Sequence, residues 1–171
     1  MKLLAIDSTT QRRSVALMLD AQLSERVADG SPQDADMLLP LVRELLSAAN
    51  CALGELDAIA FGAGPGAFTG IRIACGVAQG LALGLTLPVV PISSLLALAS
   101  SCDADKVIAT LNARMGEIYH AAYERTTVGW RCVSAPCVCA AAQAPHLEGS
   151  GWLGAGSGFG AYEAELRARY A

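Results

Sequence analysis

Apolar positions come in short runs at the start of the chain and at helical spacing soon after. Residues 3–7 are an apolar run that ends on an acid, Asp7. Residues 14–19 form a second run and residues 22–27 alternate, so a meander of two or three strands is predicted, with Asp20-Ala21 as a tight turn. A helix follows. Ser31 suits its N-cap, Pro32 its first position, and Asp34 completes a capping-box spacing. Met37, Leu38, Leu41, Val42, Leu45, Leu46 and Ala49 then recur over an arc of roughly 180°, which Leu39 widens. A helix resting on a single sheet needs only about 100°. The surplus either touches a second body or is sandwiched inside the helix's own domain.

Residues 57–62 read as the next strand. A glycine-rich turn leads from it into a long helix over 67–85, whose polar side is little more than Arg72 and Gln79. Gly76, Gly80 and Gly84 recur on it as a flat stripe that another backbone can approach. Residues 88–92 form a strand, Ser93 caps a helix over 94–101, and strands cover 106–111 and 117–124. The stretch 132–145, rich in alanine and cysteine, has no clear period. Residues 152–158 read as a strand ending in a glycine-rich loop, and 163–170 as a charged helical end. Strands followed by alternating helix and strand predict an α/β fold with a mixed sheet.

Composition sharpens this picture. The chain has 171 residues, 53% of them hydrophobic and 16% charged, with a formal net charge of −4. That is apolar for a soluble chain, where about 45–50% and about 25% are usual, so the excess belongs in a core or against a partner. An acidic chain is not expected to bind nucleic acid alone, because phosphate binding needs a basic surface. Asp7 interrupts the opening apolar stretch too early for a signal peptide. The six cysteines are therefore expected to be reduced thiols in the cytoplasm. Residues 73–92 carry no charge and are long enough to span a bilayer, but Gly76, Gly80, Gly84, Pro88 and Pro91 divide them into a helix, a turn and a strand. No membrane partner is expected.

The prominent motif runs from Gly62 to Arg72, Gly-Ala-Gly-Pro-Gly-Ala-Phe-Thr-Gly-Ile-Arg. It loosely matches a dinucleotide fingerprint, yet the following strand ends at Ile92-Ser93 without the expected acid, and no Gly-Lys-Ser/Thr of a P-loop is present. A tight turn with close helix–sheet packing is the alternative. Asp7, Ser8, Thr9 and Thr10 end the first strand; an acid followed by hydroxyls can hold a magnesium–phosphate unit, and such turns also occur empty. Gly64, Gly66, Asp7, Ser8 and Thr9 are thus the candidate phosphate or nucleotide residues. Cys132, Cys137 and Cys139 with His146 have no usual zinc spacing. His120 and His146 sit in no nucleophile motif, and no catalytic residue or metal ligand is assigned.

Three segments together resemble one family: Leu4 to Thr9; Gly62 to Arg72 with Ala78-Gln79-Gly80-Leu81-Ala82; and Asn112-Ala113-Arg114-Met115-Gly116-Glu117-Ile118-Tyr119. They look like the TsaB (YeaZ) family. The resemblance implies an actin-like fold of RNase H-like lobes, here an N-terminal lobe over 1–100 and a second lobe over 101–171, shorter than the family's. It implies a paralogue of the TsaD-type transferase, which modifies a tRNA adenosine with threonylcarbamoyl and holds a metal with two histidines one helix turn apart. The matching positions here are Ser94 and Leu98, so a pseudo-enzyme is expected, with no required cofactor and room for weak ATP or ADP with magnesium. Implied partners are a TsaD-type transferase, a TsaE-type ATPase in the same complex and, when alone, a second copy. The N-terminal helices would carry the contact, with Leu38, Leu41, Leu45, Ile71, Cys75 and Val77 as interface candidates. Asp34-Ala35-Asp36 departs from the family, which has a histidine or other polar residue before the first helix. The rival readings are an ATP-hydrolysing enzyme built on Asp7, and a metallopeptidase.

Overall fold

A computed structural model describes residues 1–29 and 37–170 and divides into two compact units, Met1–Ser93 and Ser94–Ala171. The expected cap at Ser31, Pro32 and Asp34, and the Asp34-Ala35-Asp36 departure, lie outside the described residues.

In the first unit, strands β1 (Lys2–Asp7), β2 (Arg12–Leu19) and β3 (Gln22–Asp29) form the predicted antiparallel meander. Strands β4 (Ala58–Gly64) and β5 (Val89–Ser93) extend it in parallel, giving the order β3-β2-β1-β4-β5. Helix α1 (Leu38–Ala48) packs on β2 and β3, and α2 (Phe68–Leu85) on β4 and β1. Alternation along β1 and β2 sends Leu4, Ile6, Val15 and Leu17 into one core with Leu38, Val42 and Leu45 of α1 and Ala74, Ala78 and Ala82 of α2. The small alanines let α2 lie close to the sheet.

By length and composition α2 is apolar enough to cross a membrane. Its place in the chain argues otherwise. It is the crossover between β4 and β5, which pair in register from Ile59–Val89 onward. A spanning helix would put those two strands on opposite sides of a bilayer, and they could not share a sheet.

The second unit holds α3 (Ser94–Ser100), β6 (Lys106–Arg114), β7 (Glu117–Thr126), β8 (Gly129–Ala140), β9 (Leu153–Ala155), α4 (Ser157–Ala161) and α5 (Glu163–Arg169). Its sheet runs β8-β7-β6-β9, antiparallel except for β6 with β9. Helix α3 supplies Leu95 and Ala99 to one face, against Val107, Ala109, Ala121 and Tyr123. The other face gathers Ile118, Ala141, Ala144 and Leu166. Both units are thus mixed sheets with flanking helices, the α/β fold expected.

Strand β8 was not legible in the sequence. Its pairing with β7 slips twice, from His120↔Cys137 to Ala122↔Ser134 and then Tyr123↔Cys132, so extra residues break the two-residue period. It is an edge strand, which is why Pro136 is tolerated within it. The expected strand over 152–158 is cut short because Gly156, at φ 100°, turns the chain into α4.

One buried polar group helps to hold α5 to this sheet. His120 on β7 is fully buried, and its Nε2 lies 2.8 Å from the Tyr170 hydroxyl. Tyr170 donates its only proton to the Pro145 carbonyl, 3.0 Å away, so Nε2 carries the hydrogen that bridges the two rings. Nδ1 is then a bare acceptor with no partner among the described residues. Protonating it would place a cation in an apolar pocket, and burial lowers the His120 pKa to about 4. The unfolded chain titrates near 6.5, so the neutral ring's contribution is intact above that pH and is lost as pH falls from 6.5 toward 4. Denaturant unfolding between pH 7 and pH 4 is expected to show a loss of about 3 kcal/mol from this group. His120→Gln should flatten that part of the profile; an unchanged profile would exclude His120 as its source.

Candidate functional site

The two motifs singled out in the sequence meet in the first unit. At the end of β1, Asp7 accepts hydrogen bonds from the Thr9 amide at 2.9 Å and from the Thr9 hydroxyl at 2.9 and 3.1 Å. Ser8 and Thr9 are buried. The glycine-rich turn between β4 and α2 lies directly on this turn, and the Ala67 amide donates to the Thr9 carbonyl at 2.7 Å.

Glycine is required there by contact. A methyl on Gly66 would overlap the Thr9 carbonyl oxygen and one on Gly70 the Ser8 carbonyl oxygen, while one on Gly62 would run into the Asp7 carboxylate. Gly64 adopts φ 93° and meets Ile71. The glycine motif and the Asp-Ser-Thr turn are therefore two halves of one packed joint. Asp7, Ser8, Thr9, Gly64 and Gly66 are brought together as grouped from sequence, with the Asp7 oxygens already bonded to Thr9.

Helix α2 leaves this joint with two unlike faces. Gly70, Ala74, Ala78 and Ala82 are buried against the sheet. Phe68, Arg72, Gly76, Gln79, Gly80 and Leu83 face outward. Leu83 is 86% exposed and Phe68 68%, with the Arg72 guanidinium 3.7 Å above the Phe68 ring. A methyl on Gly76, Gly80 or Gly84 would meet nothing within 4 Å. The glycine stripe faces open space, and no backbone among the described residues comes near it.

The interface candidates need correction in part. Leu38, Leu41 and Leu45 lie in the core of their own unit, since they form the side of α1 that covers the sheet. They cannot meet a partner without unfolding that core. The outward side of α1 is Leu39, Pro40, Arg43, Glu44, Ser47 and Ala48. The wide arc read from the sequence counted both sides of the helix as one. Ile71, Cys75 and Val77 are half-buried, on the flanks of α2 rather than its outward face. The exposure of the glycines was the missed signal, because a repeat of four fits a buried stripe equally well.

Ser94 and Leu98 stand one turn apart on α3. The Ser94 hydroxyl is buried without a partner, and Leu98 packs against Gly156. Neither brings a metal-binding group, and among the described residues no three His, Cys, Asp or Glu side chains converge. Cys132 is exposed, with its thiol on the Ser134 carbonyl.

Residues 30–155 match the family model of tRNA N6-adenosine threonylcarbamoyltransferase. The tRNA threonylcarbamoyladenosine biosynthesis protein TsaB of Haemophilus influenzae is 36% identical over 94% of this chain and 73% of its own length. TsaB of Escherichia coli is 40% identical over 75% of this chain, which spans 58% of that relative. The solved structure of YeaZ from Pseudomonas aeruginosa superposes with a TM-score of 0.88 at 41% identity, over 95% of this chain and 78% of that one.

The two sets of glycines predict opposite responses to alanine. Gly70→Ala should destabilise the chain by about 3 kcal/mol or more, because its methyl overlaps backbone that cannot yield. Gly76→Ala or Gly80→Ala should each stabilise it by up to about 1 kcal/mol, the helix-propensity difference. Denaturant unfolding of the three variants checks this, and a loss of stability at Gly76 or Gly80 would contradict it.

Proposed function

This chain belongs to the TsaB (YeaZ) family of tRNA threonylcarbamoyladenosine biosynthesis proteins, and from that premise we propose that it works as a non-catalytic subunit that binds and supports a TsaD-type transferase. The observation that carries the reading is the outward face of α2. Each exposed glycine within a helix costs about 1 kcal/mol relative to alanine. Gly76, Gly80 and Gly84 bring no packing in return inside the described chain. A second helix docked on that stripe would supply it, since the absence of side chains permits close backbone approach. Leu83, Phe68 with Arg72, and Leu39 of α1 add apolar area beside the stripe.

The chemistry of the chain supports a supporting rather than a catalytic role. Ser94 and Leu98 replace the histidine pair that the resemblance assigns to the transferase. Asp7 is committed to Thr9. The subunit in this reading requires no cofactor of its own, and it works in the cytoplasm with the transferase and a TsaE-type ATPase. With a net charge of −4, it leaves tRNA contact to its partners. Alone, the same face pairs with a second copy, so self-association and partner binding exclude each other.

Light scattering on a sizing column, with the chain alone and then mixed with a TsaD-type transferase, tests the proposal. A stable mixed complex is expected, and Gly80→Arg should abolish it while leaving the unfolding midpoint within the range of a surface substitution. A Gly80→Arg chain that still forms the complex would remove the α2 face from the account. A wild-type chain that ignores the transferase would remove the function itself.

A further inference from the structure

We propose that the outer edge of β9, with the cavity beside it, is an acceptor for a fifth strand: an extended, uncharged apolar segment of a second polypeptide, laid parallel to β9. The two units share one topology up to this point. In the first, the antiparallel meander is followed by β4, parallel to β1, and then by β5, parallel to β4. In the second, the meander β8-β7-β6 is followed by β9, parallel to β6, and no strand among the described residues pairs with the other side of β9. Every other described strand already has its place in a sheet, so the occupant comes from outside them.

Beside the open edge, between β9 and helices α4 and α5, lies a cavity of about 610 Å³. Buried Ile108 and Leu166 line it with Trp152 and Phe159, and Phe159 lies so close over Gly154 that β9 has no room for a side chain there. In the first unit Val89 of β5 packs against the core that α2 covers, and the cavity is the corresponding place in the second. Glu163 and Arg167 on its exposed side neutralise each other across 2.7 Å, so the site calls for no charged group. The remaining sheet edges are guarded. Strand β3 carries Glu25, Arg26 and Asp29, β5 has Pro91, and β8 has Pro136 and two bulges. Strand β9, though only three residues long, is Leu153-Gly154-Ala155 and has none of these. A strand added there gains backbone hydrogen bonds from the edge and buries an apolar side chain in the cavity, the two sources of affinity and specificity in strand addition.

The test adds a synthetic peptide copying β5 and its lead-in, residues 87–93, to the folded chain and follows amide hydrogen exchange segment by segment. The peptide should slow exchange over residues 153–155 and 163–169 and leave β3 and β8 unchanged. A peptide carrying Val89→Asp and Ile92→Asp should give no protection. Gly160 lines the cavity at a position where a methyl meets nothing within 4 Å, so Gly160→Leu in the chain should abolish the protection without lowering the unfolding midpoint. Exchange over 153–155 that is the same with and without millimolar peptide, protection that survives Gly160→Leu, or equal protection of β3 and β8 would each overturn the proposal.

Discussion

The first unit depends on the contact between the backbone of α2's entry turn and the backbone of the β1–β2 turn. At Gly66 and Gly70 the chain comes so close to the Thr9 and Ser8 carbonyls that no side chain fits, and Gly62 lies against the Asp7 carboxylate. The Thr9 carbonyl accepts from Ala67, and Asp7 holds Thr9 from the other side. This joint fixes where α2 begins and how it is rotated. Its register then decides which residues of α2 face the sheet and which face away.

The rotation has a functional consequence. With Gly70 locked onto Ser8, the positions four residues apart after it, Ala74, Ala78 and Ala82, must lie on the sheet. Arg72, Gly76, Gly80 and Leu83 are carried to the opposite side. A residue pattern devoted to close packing thus appears on both sides of one helix, satisfied on one and open on the other. The buried alanines are explained by the fold. The open glycines lower the helix's own stability, and nothing among the described residues packs on them in return.

Much of this was legible in the sequence, for identifiable reasons. The meander, the crossover helix and the β6–β7 hairpin follow from strong periodicity and from Gly and Pro at their ends. Asp7 and the glycine turn meet because they stand at the ends of β1 and β4, which are neighbours in the sheet. Strand β8 was hidden because two bulges destroy its alternation and because alanine and cysteine give little contrast between faces. The burial of Leu38, Leu41 and Leu45 was misread for a different reason: hydrophobicity marks what avoids water, not which body excludes it. The role of His120 was invisible because its partner, Tyr170, is fifty residues away.

The central claim is that the outward side of α2 is the docking surface for the transferase. Amide hydrogen exchange on the chain alone and in the mixed complex tests it most directly, because protection is read segment by segment in the unmodified protein. The account predicts slowed exchange over residues 68–85 and along the adjoining helix 38–48, with β8 and α5 unaffected. Protection confined to the second unit, or none within α2 in a complex that has formed, would contradict it.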